Sequence, residues 1–302
     1  MTVNVPLTDL RAQPHTTAQA DVHDPHEETQ LLYGERVRVL ARQKDWARIE
    51  AVEQPEFTHA RRWQGYPGWV PDAILMPWDQ LMDPTMVITV KWAQAWHDPY
   101  LTRPAPWRFA LGTRLRAADY AGQRWKAELL DGTEVWLRFQ DAKSFEELAA
   151  LSPPERRQAI VRSAGVFIGD PYYWGGRSPV GGLTPKGSDP VVMGVDCSGL
   201  VNLAYRSAGV DIPRDAHEQF LRAKPVTALQ PADLVFLSER SDPKRIIHVM
   251  LYAGEGDVIE GPGTGLAVRR IALAQRLGQP LEQLSPGAVV DEQTIFFGAY
   301  LP

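Results

Sequence analysis

The sequence predicts an α+β chain in which two small β-barrels precede a domain of helices followed by antiparallel strands. Three observations carry that prediction. Short alternating strands fill the first half, the same strand pattern recurs at a fixed offset, and near Lys143 the pattern changes to helical runs and then to strands again. The implied division is residues 1–80 for an N-terminal arm with the first barrel, 81–142 for the second, and 143–302 for the helix-and-strand domain.

In Leu32-Tyr33-Gly34-Glu35-Arg36-Val37-Arg38-Val39-Leu40, apolar and polar residues alternate with period two after a glycine, the pattern of a half-buried strand. Residues 46–50 repeat the alternation, and residues 65–71 close the unit with turn residues around aromatics. Residues 111–116, 125–129 and 132–137 mirror these three stretches. Gly34 to Gly112 is 78 positions and Trp46 to Trp125 is 79, the signature of two copies of one unit. The first copy carries an insertion, residues 52–64, where long loops are usually functional. Both copies resemble the bacterial SH3 domain, over roughly residues 20–78 and 85–140. The tryptophans are read first as filling for these barrels.

Residues 145–151 and 154–161 read as helices, with Ser152 as N-cap and prolines in the first turn. A Gly/Pro-rich loop begins at Trp174-Gly175-Gly176 and runs to Gly194. Leu200, Leu203, Ala204 and Ala208 have helical spacing, ended by Gly209 and Pro213. Residues 233–237, 248–252 and 257–260 alternate as strands.

Composition is that of ordinary globular material, 44% hydrophobic and 23% charged over 302 residues. No apolar run approaches the ~20 residues of a membrane span. The first residues show neither a basic segment nor an apolar one of secretory type, so the expected compartment is the cytoplasm, with export left open. A net charge of −5 without a dense Lys/Arg block argues against nucleic acid as a partner. A single cysteine is compatible with a reducing compartment.

That cysteine, Cys197, lies in Val195-Asp196-Cys197-Ser198-Gly199-Leu200, at the start of a predicted helix. The positive end of a helix dipole and its free N–H groups favour a thiolate. A free cysteine is also commonly a small buried hydrophobe, so placement alone leaves both readings open. Of seven histidines, His15, His23 and His26 lie in a polar stretch, His59 in the insertion, and His97 before an Asp-Pro turn. Only His217 and His248 share the cysteine's domain. His217 reads as the exposed start of a helix, whereas His248 opens an apolar strand where a polar residue needs a partner or a function. The turn signal at residues 252–257 predicts a hairpin with Glu260 directly across from His248, Cβ atoms about 5 Å apart. Cys197, His248 and Glu260 then form a nucleophile, base and orienting group. The competing reading is a surface His/Glu cross-strand pair. No histidine/carboxylate group has metal-ligand spacing, and no metal or cofactor is expected.

Five separated segments now carry a resemblance. Pro171-Tyr172-Tyr173-Trp174-Gly175-Gly176, Gly194-Val195-Asp196-Cys197-Ser198-Gly199-Leu200-Val201, Pro213-Arg214, Pro231-Ala232-Asp233-Leu234-Val235-Phe236 and His248-Val249-Met250-Leu251-Tyr252 follow the NlpC/P60 pattern in order. Residues 143–302 resemble that family, which implies a papain-like core that cleaves peptide bonds in bacterial cell-wall peptides. With two SH3-like units ahead of it, the chain is similar to γ-D-glutamyl-L-diamino acid endopeptidases of the YkfC type. The resemblance implies Cys197 as nucleophile, His248 as general base, and Tyr172 with the Cys197 N–H at the oxyanion. It departs at Glu260, where most relatives have histidine. A carboxylate there stabilises the imidazolium more strongly and predicts a persistent thiolate–imidazolium pair.

The implied partner is a murein-derived peptide with a free N-terminal L-Ala, then γ-linked D-Glu and a diamino acid, cut after the D-Glu. Glu28 and Tyr66 of the first barrel, with Asp196 and Ser198, would hold its ammonium. A closed acidic end admits a free amine and rejects an acylated one. Other readings at this point are an amidase or acyltransferase on the same core, or a wall-binding protein with a weak catalytic domain. The presence of Cys197, His248 and Tyr172 favours an enzyme.

Overall fold

The computed structural model describes residues 1–14, 23–79, 83–120, 124–182 and 191–302. The expected boundary at residue 80, His15 and part of the Gly/Pro-rich loop lie outside the described residues.

The first half folds as two antiparallel units. The first sheet runs in the order Glu27–Leu32, Leu7–Arg11, Gln64–Pro71, Trp46–Glu56 and Val37–Gln43. Its alternating apolar residues, among them Leu10, Leu31, Ile49 and Val70, meet in one core. The strand expected from Leu32 through Leu40 is broken, because Gly34 adopts a φ of 81°, favourable for glycine alone. One strand therefore ends at Leu32 and the next starts at Val37. Gly112, its counterpart in the repeat, has a φ of 86° and precedes strand Arg114–Tyr120. The insertion is no loose loop. After a bulge, the hairpin lengthens and pairs again at Pro55 with Gly65 and Glu56 with Gln64.

The second sheet runs in the order Pro104–Ala110, Trp92–Trp96, Glu134–Arg138, Arg124–Glu128, Arg114–Tyr120, Met86–Ile88 and Ala142–Ser144. A 3₁₀ turn follows the third hairpin strand in each unit, Asp72–Ile74 in the first and Phe139–Asp141 in the second.

The C-terminal half begins with α1 (Phe145–Ala149) and α2 (Pro153–Gly165). Ser144 and Glu147 cap α1 reciprocally, at 3.0 and 2.8 Å, and the Ser152 N–H donates to Glu155 at 2.9 Å ahead of α2. Helix α3 (Cys197–Ser207) is buried along its whole length between α2 and strand Ile246–Gly254, and Gly209 ends it with a φ of 77°. Helix α4 (Ala216–Arg222) and α5 (Leu273–Leu277) flank a mixed-length antiparallel sheet. Its main path runs Lys224–Pro225, Gln293–Ala299, Leu234–Ser238, Ile246–Gly254, Asp257–Glu260, Arg269–Ala272.

The hairpin that carries His248 and Glu260 forms, but not in the expected register. Its two-residue turn is Glu255-Gly256, with φ of 56° and 84°, rather than one centred on Gly254. Leu251 faces Ile259 and Tyr252 faces Val258, which sets His248 two positions beyond the point opposite Glu260. A two-residue offset preserves the face, so the two side chains still meet, diagonally.

Buried polar contacts join the first unit to the helices. Arg177 pairs with Glu35 at 2.8 Å and donates to Asn202 on α3 at 2.7 Å. Arg206 pairs with Glu53 at 2.7 Å. Gln30 accepts from the Arg177 N–H and the Ser178 hydroxyl, at 2.9 and 2.8 Å. Among the described residues, no helix is long and apolar enough to cross a membrane.

Candidate active site

Asp196 is the N-cap of α3, and its carboxylate accepts from the Gly199 N–H at 2.6 Å. Cys197 is thus the first helical residue, 8% exposed, at the floor of a cleft of about 670 Å³. Gly199 is required there, since a Cβ would collide with the Gly176 carbonyl of the Trp-Gly-Gly turn. That close approach brings the loop bearing Tyr172 to the thiol, and both line the cleft.

His248 reaches the thiol from the neighbouring strand and hydrogen-bonds with Cys197. Its Nε2 lies 2.8 Å from Glu260 Oε2, which leaves Nδ1 for the sulfur. Burial alone would lower the imidazole, but its hydrogen bonds to Cys197 and Glu260 and their charges raise it to about 9. Glu260 is fully buried. Burial would raise its carboxyl; the hydrogen bond and charge of His248, with Arg276 and Arg269, hold it down to about 2. Arg269 donates to Oε1 at 3.0 and 2.7 Å, and Arg276 Nε to both oxygens at 3.0 Å. Sequence reasoning missed both arginines. A signal existed for Arg269, which sits directly opposite Glu260 on the next strand.

Tyr172 is positioned by its N–H, which donates to the Leu266 carbonyl at 2.8 Å, and by a bridge to Val195. Burial and the neighbouring Cys197 and Asp196 push its hydroxyl well above the ordinary tyrosine range, so it remains a proton donor.

A group of acidic residues lines the same cleft. Tyr66, 4% exposed, turns its hydroxyl toward Glu28 at 3.4 Å and Asp215 at 3.0 Å, and all three line the cleft. Burial, then the nearby Glu218 and Asp196 charges against Arg214, raises Asp215 to about 7. Asp215 was not among the expected site residues. His217 also lines the cleft, half-buried, with Nδ1 accepting from the Ile246 N–H at 3.3 Å, so it is not the exposed helix start expected.

Asp196 and Ser198 lie where the sequence put them, beside the nucleophile, but their polar atoms are already engaged. Arg214, wholly buried, donates to the two Asp196 oxygens at 3.0 and 2.8 Å and to the Ser198 hydroxyl at 3.0 Å. The Gly175 N–H and the Ser198 hydroxyl also donate to Asp196, at 3.1 and 3.2 Å. A carboxylate so neutralised fixes the helix start and offers little charge to a ligand. Arg214 Nε donates to Thr29 of the first unit at 2.6 Å, so the same side chain ties that unit to the site. Among the described residues, no group of histidine, cysteine and carboxylate side chains is placed to hold a metal.

Residues 169–277 match the model of the NlpC/P60 family. The chain is 28% identical over 252 residues to a γ-D-glutamyl-L-lysine dipeptidyl-peptidase of Bacillus cereus, covering 82% of this chain and 70% of that one. It is 26% identical over 262 residues to the protein of the same name in Bacillus subtilis, covering 83% and 77%. The fold superposes on the crystal structure of an NlpC/P60 family protein from Bacillus cereus with a TM-score of 0.75 and 24% identity, covering 100% of this chain and 99% of that one. Residues 169–277, which carry Cys197, His248 and Glu260, thus match the NlpC/P60 family domain.

Proposed function

We propose that the protein is a cysteine peptidase that cleaves the γ-D-Glu–diamino acid bond of short murein peptides with a free N-terminal L-Ala. The observation that carries this reading is the shared cleft. Cys197 lines it with His248 and Glu260 in line behind the thiol, and Glu28, Tyr66 and Asp215 line the same cleft as an acidic group. The names of the two Bacillus relatives, which describe release of a dipeptide, support the same bond and the same free end.

In this reading the Cys197 sulfur, as thiolate, attacks the γ-carbonyl carbon of D-Glu. The Tyr172 hydroxyl and the Cys197 N–H donate to the oxyanion. As the tetrahedral intermediate collapses, the carbon–nitrogen bond breaks and the His248 imidazolium gives its proton to the leaving amine. Water then attacks the thioester, His248 takes its proton, and L-Ala-γ-D-Glu leaves with the thiolate restored. Glu260 keeps the imidazole oriented and charged at rest. Asp196 and Ser198 act through Arg214, holding the helix start, while Glu28, Tyr66 and Asp215 receive the ammonium.

We also read residues 1–80 and 81–142 as SH3-like units, the first capping the groove of a papain-like domain over 143–302. Support comes from the repeated Gly34/Gly112 turns and from the 3₁₀ turn that follows the same strand in each.

The test is L-Ala-γ-D-Glu-L-Lys against its N-acetylated form, with products identified by mass spectrometry. The free peptide should yield L-Ala-γ-D-Glu and lysine, the acetylated one at a rate lower by roughly a hundredfold, because it brings no cation to the acidic group. Equal rates refute the closed acidic end. Full hydrolysis by Cys197→Ala refutes the nucleophile.

A further inference from the structure

The insertion that lengthens the first unit's hairpin delivers a histidine to the acidic end of the cleft, and the reaction above leaves it without a role. His59 sits at the tip of this hairpin. Its Nε2 is 3.5 Å from Glu28 Oε2 and its Nδ1 is 3.1 Å from Glu56 Oε2. Its ring meets Tyr66 edge-on, centroids 5.2 Å apart. Glu56 is fully buried and anchored, accepting from the His59 N–H at 3.0 Å and from Gln64 at 2.5 Å. The tip is pinned to α4, where Glu218 accepts from the Thr58 N–H at 3.0 Å and from its hydroxyl at 2.5 Å. The imidazole is therefore held behind the carboxylate expected to receive the substrate's ammonium.

We propose that His59 is a specificity-determining positioning residue of the free-amine end, whose imidazolium neutralises Glu28 in the empty cleft and yields its proton when a ligand ammonium takes that carboxylate. This deepens the proposed function and rests on it. The hydrogen bond to Glu28, set against partial burial and supported by the Glu28 and Glu56 charges, raises His59 to about 9, so the empty site carries the proton at neutral pH. A second cation at Glu28 reverses that balance through like-charge repulsion. The charged or titratable groups facing His59 are Glu28, Glu56 and Tyr66, with Asp215 beyond Tyr66 and Glu218 beneath the tip.

The sign follows from linkage. A ligand that expels a proton binds more tightly as pH rises toward the free group's range. Asp215 and the ligand's own amine also titrate, but identically in a variant that keeps them. Binding of the dipeptide L-Ala-γ-D-Glu, which the enzyme cannot hydrolyse further in this scheme, is measured calorimetrically for wild type and His59→Gln at pH 6 and pH 8. The affinity of wild type relative to the variant should rise at least about tenfold between the two pH values, since one released proton is worth up to tenfold per pH unit below the free group's value. A ratio constant within twofold, with the variant weaker at both, means a purely structural clamp and overturns the proposal. Kinetically, the ratio of wild-type to variant KM should fall between pH 6 and pH 8 while kcat stays near wild type; a matching fall in kcat also overturns it. The N-acetylated dipeptide separates the two levels. If it binds as tightly as the free form, the reading of the acidic end fails; if it is rejected while the ratio is flat, only the role of His59 fails.

Discussion

Two side chains, His248 and Glu260, set the pH range in which the site is charged. His248 is raised to about 9, so the imidazolium persists through neutral pH and is lost as pH climbs through that value. Glu260, lowered to about 2, stays ionised down to strongly acidic pH. The alkaline limb of kcat/KM should therefore lie near 9. Glu260→Gln removes the compensating charge and leaves Arg269 and Arg276 beside the imidazole, both of which disfavour the imidazolium. The limb should move to lower pH by at least about one pH unit; a limb that stays in place means another group holds the imidazole. The same shifts act on folding. Because the folded-state value of His248 is raised, its contribution to stability is complete below its ordinary range near 6.5 and disappears as pH rises through about 9. The Glu260 value is depressed, so its contribution is present above 4.5 and fades toward about 2. Cys197 was legible as the single cysteine at a helix start, and His248 and Glu260 because polar residues on apolar strands stand out. Arg269, Arg276 and His59 were not, because their neighbours are set by a further hairpin, a short helix and an insertion whose paths no local pattern specifies.

Among the elements, helix α3 starts where Asp196 makes it start. The carboxylate caps the helix and neutralises Arg214, which is wholly buried. Asp196→Ala removes both functions. Loss of a cap costs about 1 kcal/mol, and removing the nearer carboxylate leaves buried Arg214 with Asp215 alone, 3.6 Å away, a loss of up to about 3 kcal/mol. Asp196→Asn retains an oxygen for the Gly199 N–H but not the charge. Urea unfolding should thus rank wild type above Asn and Asn above Ala; an Asn variant as stable as wild type would show that the ion pair contributes nothing. The elements themselves were largely readable, since Ser152, Gly209 and the period-two stretches mark real boundaries. The hairpin register was not. It depends on which two residues take positive φ in Gly254-Glu255-Gly256, and three adjacent turn-forming residues leave that choice to the surrounding sheet. The face survived the error because the slip was even.

Across the molecule, the acidic end of the cleft exists only while the first unit stays docked, since Glu28 and Tyr66 come from that unit and Cys197 does not. Glu35 is the centre of the docking. It is buried, pairs with Arg177 at 2.8 Å and stands 3.6 Å from Arg206, which also reaches Glu53. Glu35→Ala strands the fully buried Arg177 without a carboxylate, a loss of about 3–5 kcal/mol, or roughly 10 °C in Tm for a protein of this size. Because the pair is shielded from solvent, the deficit should persist in high salt, whereas an exposed pair would lose its effect. Calorimetry should also change in form, from one transition to two, as the first unit melts ahead of the helix-bearing half. In kinetics below that first transition, the variant should raise KM for the free-amine peptide while thiol alkylation at Cys197 proceeds at the wild-type rate. A variant that melts in one transition at the wild-type temperature would mean that the interface is held by something other than this buried pair.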